Sequence, residues 1–94
     1  MKSIRTNVKR LKVDENELEL AYYITVDEVK SNNQIEILES YGVCIESSSE
    51  KASVSGITHS RKKIEELERI LSENFVTPVS LPYVVQDIVG VTFL

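Results

Sequence analysis

Between Leu18 and Val26 every second residue is apolar: Leu18, Leu20, Tyr22, Ile24 and Val26. Glu17, Glu19, Thr25 and Asp27 take most of the places between and beside them. Period two sustained over this length predicts a strand with one side in a core and the other in water. Ser31-Asn32-Asn33 ends it, because Asn tolerates left-handed backbone angles. A third segment alternates in the same way. Ile35, Ile37, Tyr41, Val43 and Ile45 share one face, with Glu39 the exception, while Glu36, Ser40, Gly42 and Glu46 share the other with Leu38 and Cys44. Ser47-Ser48-Ser49 then predicts a loop. Ala52, Val54 and Ile57 predict a short fourth strand, with a bulge at Gly56 where the phase shifts.

The first segment, Ser3 to Val13, carries two patterns. Ile4, Val8 and Leu11 fit a helix, whereas Ile4, Thr6 and Val8 alternate, as do Leu11 and Val13. Thr6, Asn7, Val8 and Val13 are weak helix formers, which favours a strand. The change of phase between Val8 and Leu11 then predicts a bulge there. Asp14-Glu15-Asn16 is a turn signal. Short connections between consecutive strands imply an antiparallel meander.

The period then changes. Ile64, Leu67, Ile70 and Leu71 form one helical stripe. Thr58 or Ser60 can cap its first turn, Glu65 and Arg69 stand four apart, and Asn74 can end it in a left-handed cap. Pro78 prevents its return. A second helix is predicted from about Leu81 to Val89, with Ser80 as N-cap, Pro82 in the first turn and Gly90 as a stop. Its many valines keep a strand as the alternative. Val91 to Leu94 is an apolar tail.

An apolar sheet face needs a cover, and the two helices that follow can supply it. The expected fold class is a two-layer α+β domain of order β-β-β-β-α-α. Its four-stranded antiparallel meander sheet has both C-terminal helices on one face, and residues 1–94 form a single domain.

Charge adds a second layer. The net charge is -4, but residues 1–12 hold Lys2, Arg5, Lys9, Arg10 and Lys12 with no acid, whereas residues 13–50 hold ten acids against Lys30 alone. A basic segment beside an acidic one can signal nucleic-acid chemistry. Two neighbouring strands pairing their charges across the ladder explain it more simply. No run approaches the ~20 apolar residues of a membrane span, and no apolar stretch follows the basic start as in a signal peptide. With one cysteine, Cys44, and no internal disulfide available, a cytoplasmic protein is expected.

Three stretches carry a family resemblance: "YYITVDE" (residues 22–28), "YGVCIE" (41–46) and "KIEELERILSENFVTPVSLPYVVQDIVG" (63–90). The chain resembles a family of short, uncharacterised bacterial proteins, chiefly from anaerobic Gram-positive bacteria, classed as a domain of unknown function. The resemblance implies a bacterial source and transfers no functional residue.

Little catalytic chemistry is visible. His59 is the only histidine and has no CxxC or HxxxH near it, so neither a metal site nor a cofactor is expected. Three glycines form none of the familiar nucleotide loops. A Cys44–His59 nucleophile pair is the weakest hypothesis, because Cys44 reads better as a small buried hydrophobe. An enzyme is not expected. Two surfaces stand out. Ser60, Arg61, Lys62 and Lys63 crowd a helix start with hydroxyl and cations, a candidate anion-binding site. Against it, the pI is about 5.0 and no aromatic is interleaved for base stacking, so nucleic acid is a disfavoured partner. Ala21, Tyr23, Leu38 and Cys44 lie on the sheet face away from the helices, a candidate interaction surface for a protein partner or a second copy in a homodimer. The alternative is that Val91-Thr92-Phe93-Leu94 covers that face. The expected function is a small non-enzymatic protein-interaction module, with anion or nucleic-acid binding as the alternative.

Overall fold

The computed structural model describes residues 2–30 and 37–92. Its elements follow the expected order: β1 (Lys2–Val13), β2 (Asn16–Lys30), β3 (Ile37–Glu46), β4 (Lys51–Thr58), α1 (Arg61–Glu73) and α2 (Leu81–Thr92). The four strands form one open antiparallel sheet in the order β1-β2-β3-β4. The architecture is α+β, a meander followed by two helices. The expected turn at Ser31-Asn32-Asn33, the positions Ile35 and Glu36, and the tail residues Phe93 and Leu94 lie outside the described residues.

Register assigns the faces. Leu20, Tyr22 and Ile24 of β2 share the inner face with Tyr41, Val43 and Ile45 of β3, and all six are buried against the helices. Each fully buried Leu or Ile of this kind contributes about 1.5–3 kcal/mol relative to exposure. The β1–β2 connection is tighter than the expected three-residue signal. Val13 pairs with Asn16, so Asp14 and Glu15 alone make the turn, at φ 50° and 75°. Positive φ at both central residues matches the right-handed twist of the hairpin.

The bulge in β1 falls earlier than the phase change suggested. The register shifts between Arg5 and Asn7, at Thr6, whose hydroxyl donates to the Tyr22 carbonyl at 3.2 Å. Ile4 therefore faces inward, while Val8, opposite Ala21, faces outward. Apolar spacing misplaced the bulge because Val8 is an exposed edge residue, and an edge position imposes little on side-chain polarity.

The expected bulge at Gly56 is present: Gly56 has φ +64°, and β4 shifts register between its pairings Val43–Val54 and Tyr41–Thr58. This irregular stretch crosses close over Gly42 of β3. A Cβ at Gly42 would collide with the Val54 carbonyl oxygen and lie 2.7 Å from both Ser55 Cα and Thr25 Oγ1. Thr25, opposite Gly42 on the outer face, is fully buried, and its hydroxyl has no hydrogen-bond partner among the described residues.

Ser60 caps α1, accepting from Lys63 N at 3.3 Å, and Thr58 Oγ1 accepts from Ser60 N. Ile64, Leu67 and Leu71 are buried as the stripe predicts. Glu65 pairs with Arg61 rather than Arg69, and Arg69 pairs with Glu73, each at 3.2 Å and both exposed. The left-handed residue at the helix end is Phe75 (φ 52°), not Asn74, whose side chain donates back to Ile70 O. Val76 N bonds Leu71 O and Phe75 N bonds Ser72 O, and Val76 and Leu71 are both in the core. This is the Schellman termination with its hydrophobic contact. The second helix overruns its predicted stop. It passes through Gly90 to Thr92, because Gly90 sits on an exposed helical face where its penalty is only about 1 kcal/mol.

Candidate interaction surfaces

The basic start of α1 is real but partly committed. No acid lies in its first turn. The Ser60 hydroxyl is held by Lys63 N, and Arg61 Nε donates to Glu65 Oε1 at 3.2 Å. Arg61, Lys62 and Lys63 are all exposed. Arg61 is therefore answered from the next turn of its own helix.

The outer sheet face brings together part of its predicted patch. Tyr23 stands directly opposite Cys44, and Ala21 is two residues along, opposite Glu46. Leu38 is 45% exposed but lies six residues along β3 from Cys44, about 20 Å away. Polar groups interrupt the patch. Arg5 faces Tyr23 from β1, Ser53 faces Cys44 from β4, and Lys51 pairs with Glu46 at 3.9 Å. A depression of about 130 Å³ opens beside Tyr23 and Cys44. Cys44 itself is 4% exposed, and burial pushes its thiol pKa up; nearby Lys51 offsets this and Glu46 adds to it.

The Cys44–His59 pair is not assembled. His59 Nδ1 donates to the Glu39 carbonyl at 3.0 Å, which ties it five residues, about 17 Å, along β3 from Cys44. Among the described residues, no group of three or more His, Cys, Asp or Glu is placed to hold a metal ion, and no helix is long and apolar enough to cross a membrane.

A third surface follows from a mismatch of lengths. Helix α1 has 13 residues and is about 20 Å long, whereas the 15 residues of β2 extend about 50 Å. Helix α2 packs chiefly on β4. The inner face therefore runs on past its roof. There Ile4, Ile24, Val26 and Tyr41 of the sheet meet Arg61 and Glu68 of α1 around a groove of about 260 Å³. Ile4 is 50% exposed at its lip.

One lining residue, Glu68, also belongs to a polar seam between sheet and helices. Glu68 is 6% exposed and accepts from Asn7 Nδ2 at 2.9 Å; the same amide reaches Ser72 Oγ at 3.4 Å. Tyr22, 1% exposed, donates its hydroxyl to the Val76 carbonyl at 2.9 Å. Burial, with a smaller contribution from the Glu68 charge, pushes the Tyr22 pKa from 10.0 up to about 12. These bonds tie β1 and β2 to the helix layer, since a buried polar group left unpaired costs about 1–3 kcal/mol. The sequence reading missed Glu68 and Asn7. Glu68 carried a signal, as a carboxylate four residues after Ile64 and one after Leu67, inside the apolar stripe. Asn7 carried none until the bulge was placed.

An open four-stranded meander followed by two helices defines a small α+β chain. Residues 1–91 match the model of a family of unknown function, DUF6514, and the chain belongs to that family. No curated protein and no solved structure matches it.

Proposed function

We propose that the chain is a non-enzymatic interaction module of the bacterial cytoplasm, acting by docking a protein partner or a second copy of itself. The observation that carries this reading is the uncovered inner face, with Ile4 half exposed at the lip of a groove lined by Ile24, Val26, Tyr41 and the buried carboxylate of Glu68. Soluble proteins seldom leave a contiguous apolar patch of sheet open without something to cover it. A single buried thiol suits a reducing compartment. The test compares a tagged wild-type chain with Ile4→Asp, both purified from the native cell and both sized by light scattering. The reading expects a stoichiometric partner, or a concentration-dependent dimer, that the variant loses while its melting temperature stays within a few degrees. A strict monomer recovered alone, or a partner held equally by Ile4→Asp, overturns it.

The basic helix start at Ser60, Arg61, Lys62 and Lys63 supports the second reading, anion binding, through its exposed cations and acid-free first turn. A short duplex titrated at low salt distinguishes the two: wild-type binding lost on reversing Arg61, Lys62 and Lys63 favours the second.

A further inference from the structure

Among the described residues, strand β1 is an open edge of the sheet, hydrogen-bonded to β2 on one side only. Most of its described side chains are exposed. Five of its 12 residues are Lys or Arg and none is acidic. Arg10 is engaged by Glu19 at 3.2 Å and Glu17 at 3.9 Å. Lys2, Arg5, Lys9 and Lys12 have no ion pair among the described residues.

An open edge offers a row of unpaired backbone donors and acceptors to any extended chain. Charge decides which chain can use it. A second copy pairing β1 on β1 sets five cations against five, a repulsive arrangement. The opposite edge, β4, is 8 residues long, broken by the Gly56 bulge and packed against α2, so it is a poor complement for 12 residues of β1. The paired side of β1 shows what the strand accepts, since β2 places Glu19 opposite Arg10 and Glu17 opposite Lys12. The bulge at Thr6 sets the outward cations at Arg5, Arg10 and Lys12.

We propose that the free edge of β1 docks an extended acidic segment of a protein partner as a fifth strand. Its carboxylates would stand at alternate positions facing Arg10 and Lys12, with a third about five residues further along facing Arg5. Backbone hydrogen bonds bind the segment and the cations select it. The groove lies on the inner face of the same strand, at Ile4 and Thr6, whereas Arg5, Arg10 and Lys12 face outward.

The test uses two peptides of the length of β1, one alternating Glu with Val or Thr, the other carrying Lys in place of each Glu. Amide chemical shifts of the full chain are followed as each is added. The acidic peptide should shift β1 amides saturably, slow hydrogen exchange at the outward-facing ones, and bind at least tenfold tighter than the basic peptide. Raising salt to about 0.5 M should erase most of that ratio, because exposed charges are screened. The double variant Arg5→Glu, Lys12→Glu, at exposed positions, should keep its melting temperature and reverse the preference. Equal binding of both peptides, shifts confined to Arg61–Lys63, no shift at millimolar peptide, or an unchanged preference in the double variant each overturns the proposal. Ile4→Asp, on the inner face of the same strand, tests the groove.

Discussion

Replacing Gly42 by alanine adds one methyl group where the structure has no room for it. The new Cβ would point at the Val54 carbonyl oxygen and lie 2.7 Å from Ser55 Cα and Thr25 Oγ1. Ordinary contacts between carbon atoms are about 3.5–4.0 Å, so strand β4 must retreat by roughly 0.8 Å or more. Two of the three obstacles are backbone, so no side chain can rotate away. Overpacking of this kind costs about 1–3 kcal/mol. Alanine recovers about 0.5–1 kcal/mol through the lower entropy of its unfolded chain, and with two backbone obstacles the cost lies toward the upper end, leaving a net loss of up to about 2.5 kcal/mol. For a domain of this size each kcal/mol lost lowers the melting temperature by about 4–8 °C. Gly90→Ala is the internal control. Its Cβ meets nothing within 4 Å and its site is helical, so it should stabilise by about 0.5–1 kcal/mol. Urea denaturation of both variants beside the wild type measures the two signs. A Gly42→Ala protein as stable as the wild type would falsify the claim that β4 crosses tightly over β3.

Thr25→Val removes a buried hydroxyl that has no partner among the described residues and keeps the side-chain shape, so it should stabilise by about 1 kcal/mol in the same urea assay. Tyr22 governs alkaline stability. Its folded pKa is raised to about 12 from 10.0, so the native state favours the protonated phenol, and stability present below pH 10 is lost as pH climbs from about 10 to 12. Up to about 2–3 kcal/mol goes over that window, and Tyr22→Phe should flatten this part of the profile while costing about 1–2 kcal/mol at neutral pH. Cys44, buried and with its thiol pKa raised, should react with iodoacetamide at pH 7.5 far more slowly in the native chain than in urea, and rapid native labelling would contradict its placement.

The parts of the fold legible in the sequence were those where burial on one face imposes a period. Leu18 to Val26 and Ile64 to Leu71 had no freedom to be anything but alternating and helical. The edge strand was harder, because Val8 faces solvent and reports nothing about the core. The glycines divided in the same way. Gly56 matched a phase shift and Gly42 did not, since its constraint comes from a strand that crosses it in space. Asn74 does cap α1, but the left-handed angle falls on Phe75, and Gly90 misled as a stop because an exposed helical glycine costs only about 1 kcal/mol. Among the surfaces, the basic helix start and the Tyr23–Cys44 neighbourhood could be placed from spacing. The groove could not, because it arises from the difference in reach between α1 and β2, which only three dimensions reveal.

All three strand pairings join neighbours in the chain, whereas the bonds that seat the roof span long separations: Tyr22 to Val76, and Asn7 to Glu68 and Ser72. During synthesis the whole meander is finished by Thr58, before any of α1 has been made. A chain cut off near residue 60 keeps every strand and loses the whole roof, leaving Leu20, Tyr22, Ile24, Val43 and Ile45 in water, and is the form of this protein that most needs a chaperone.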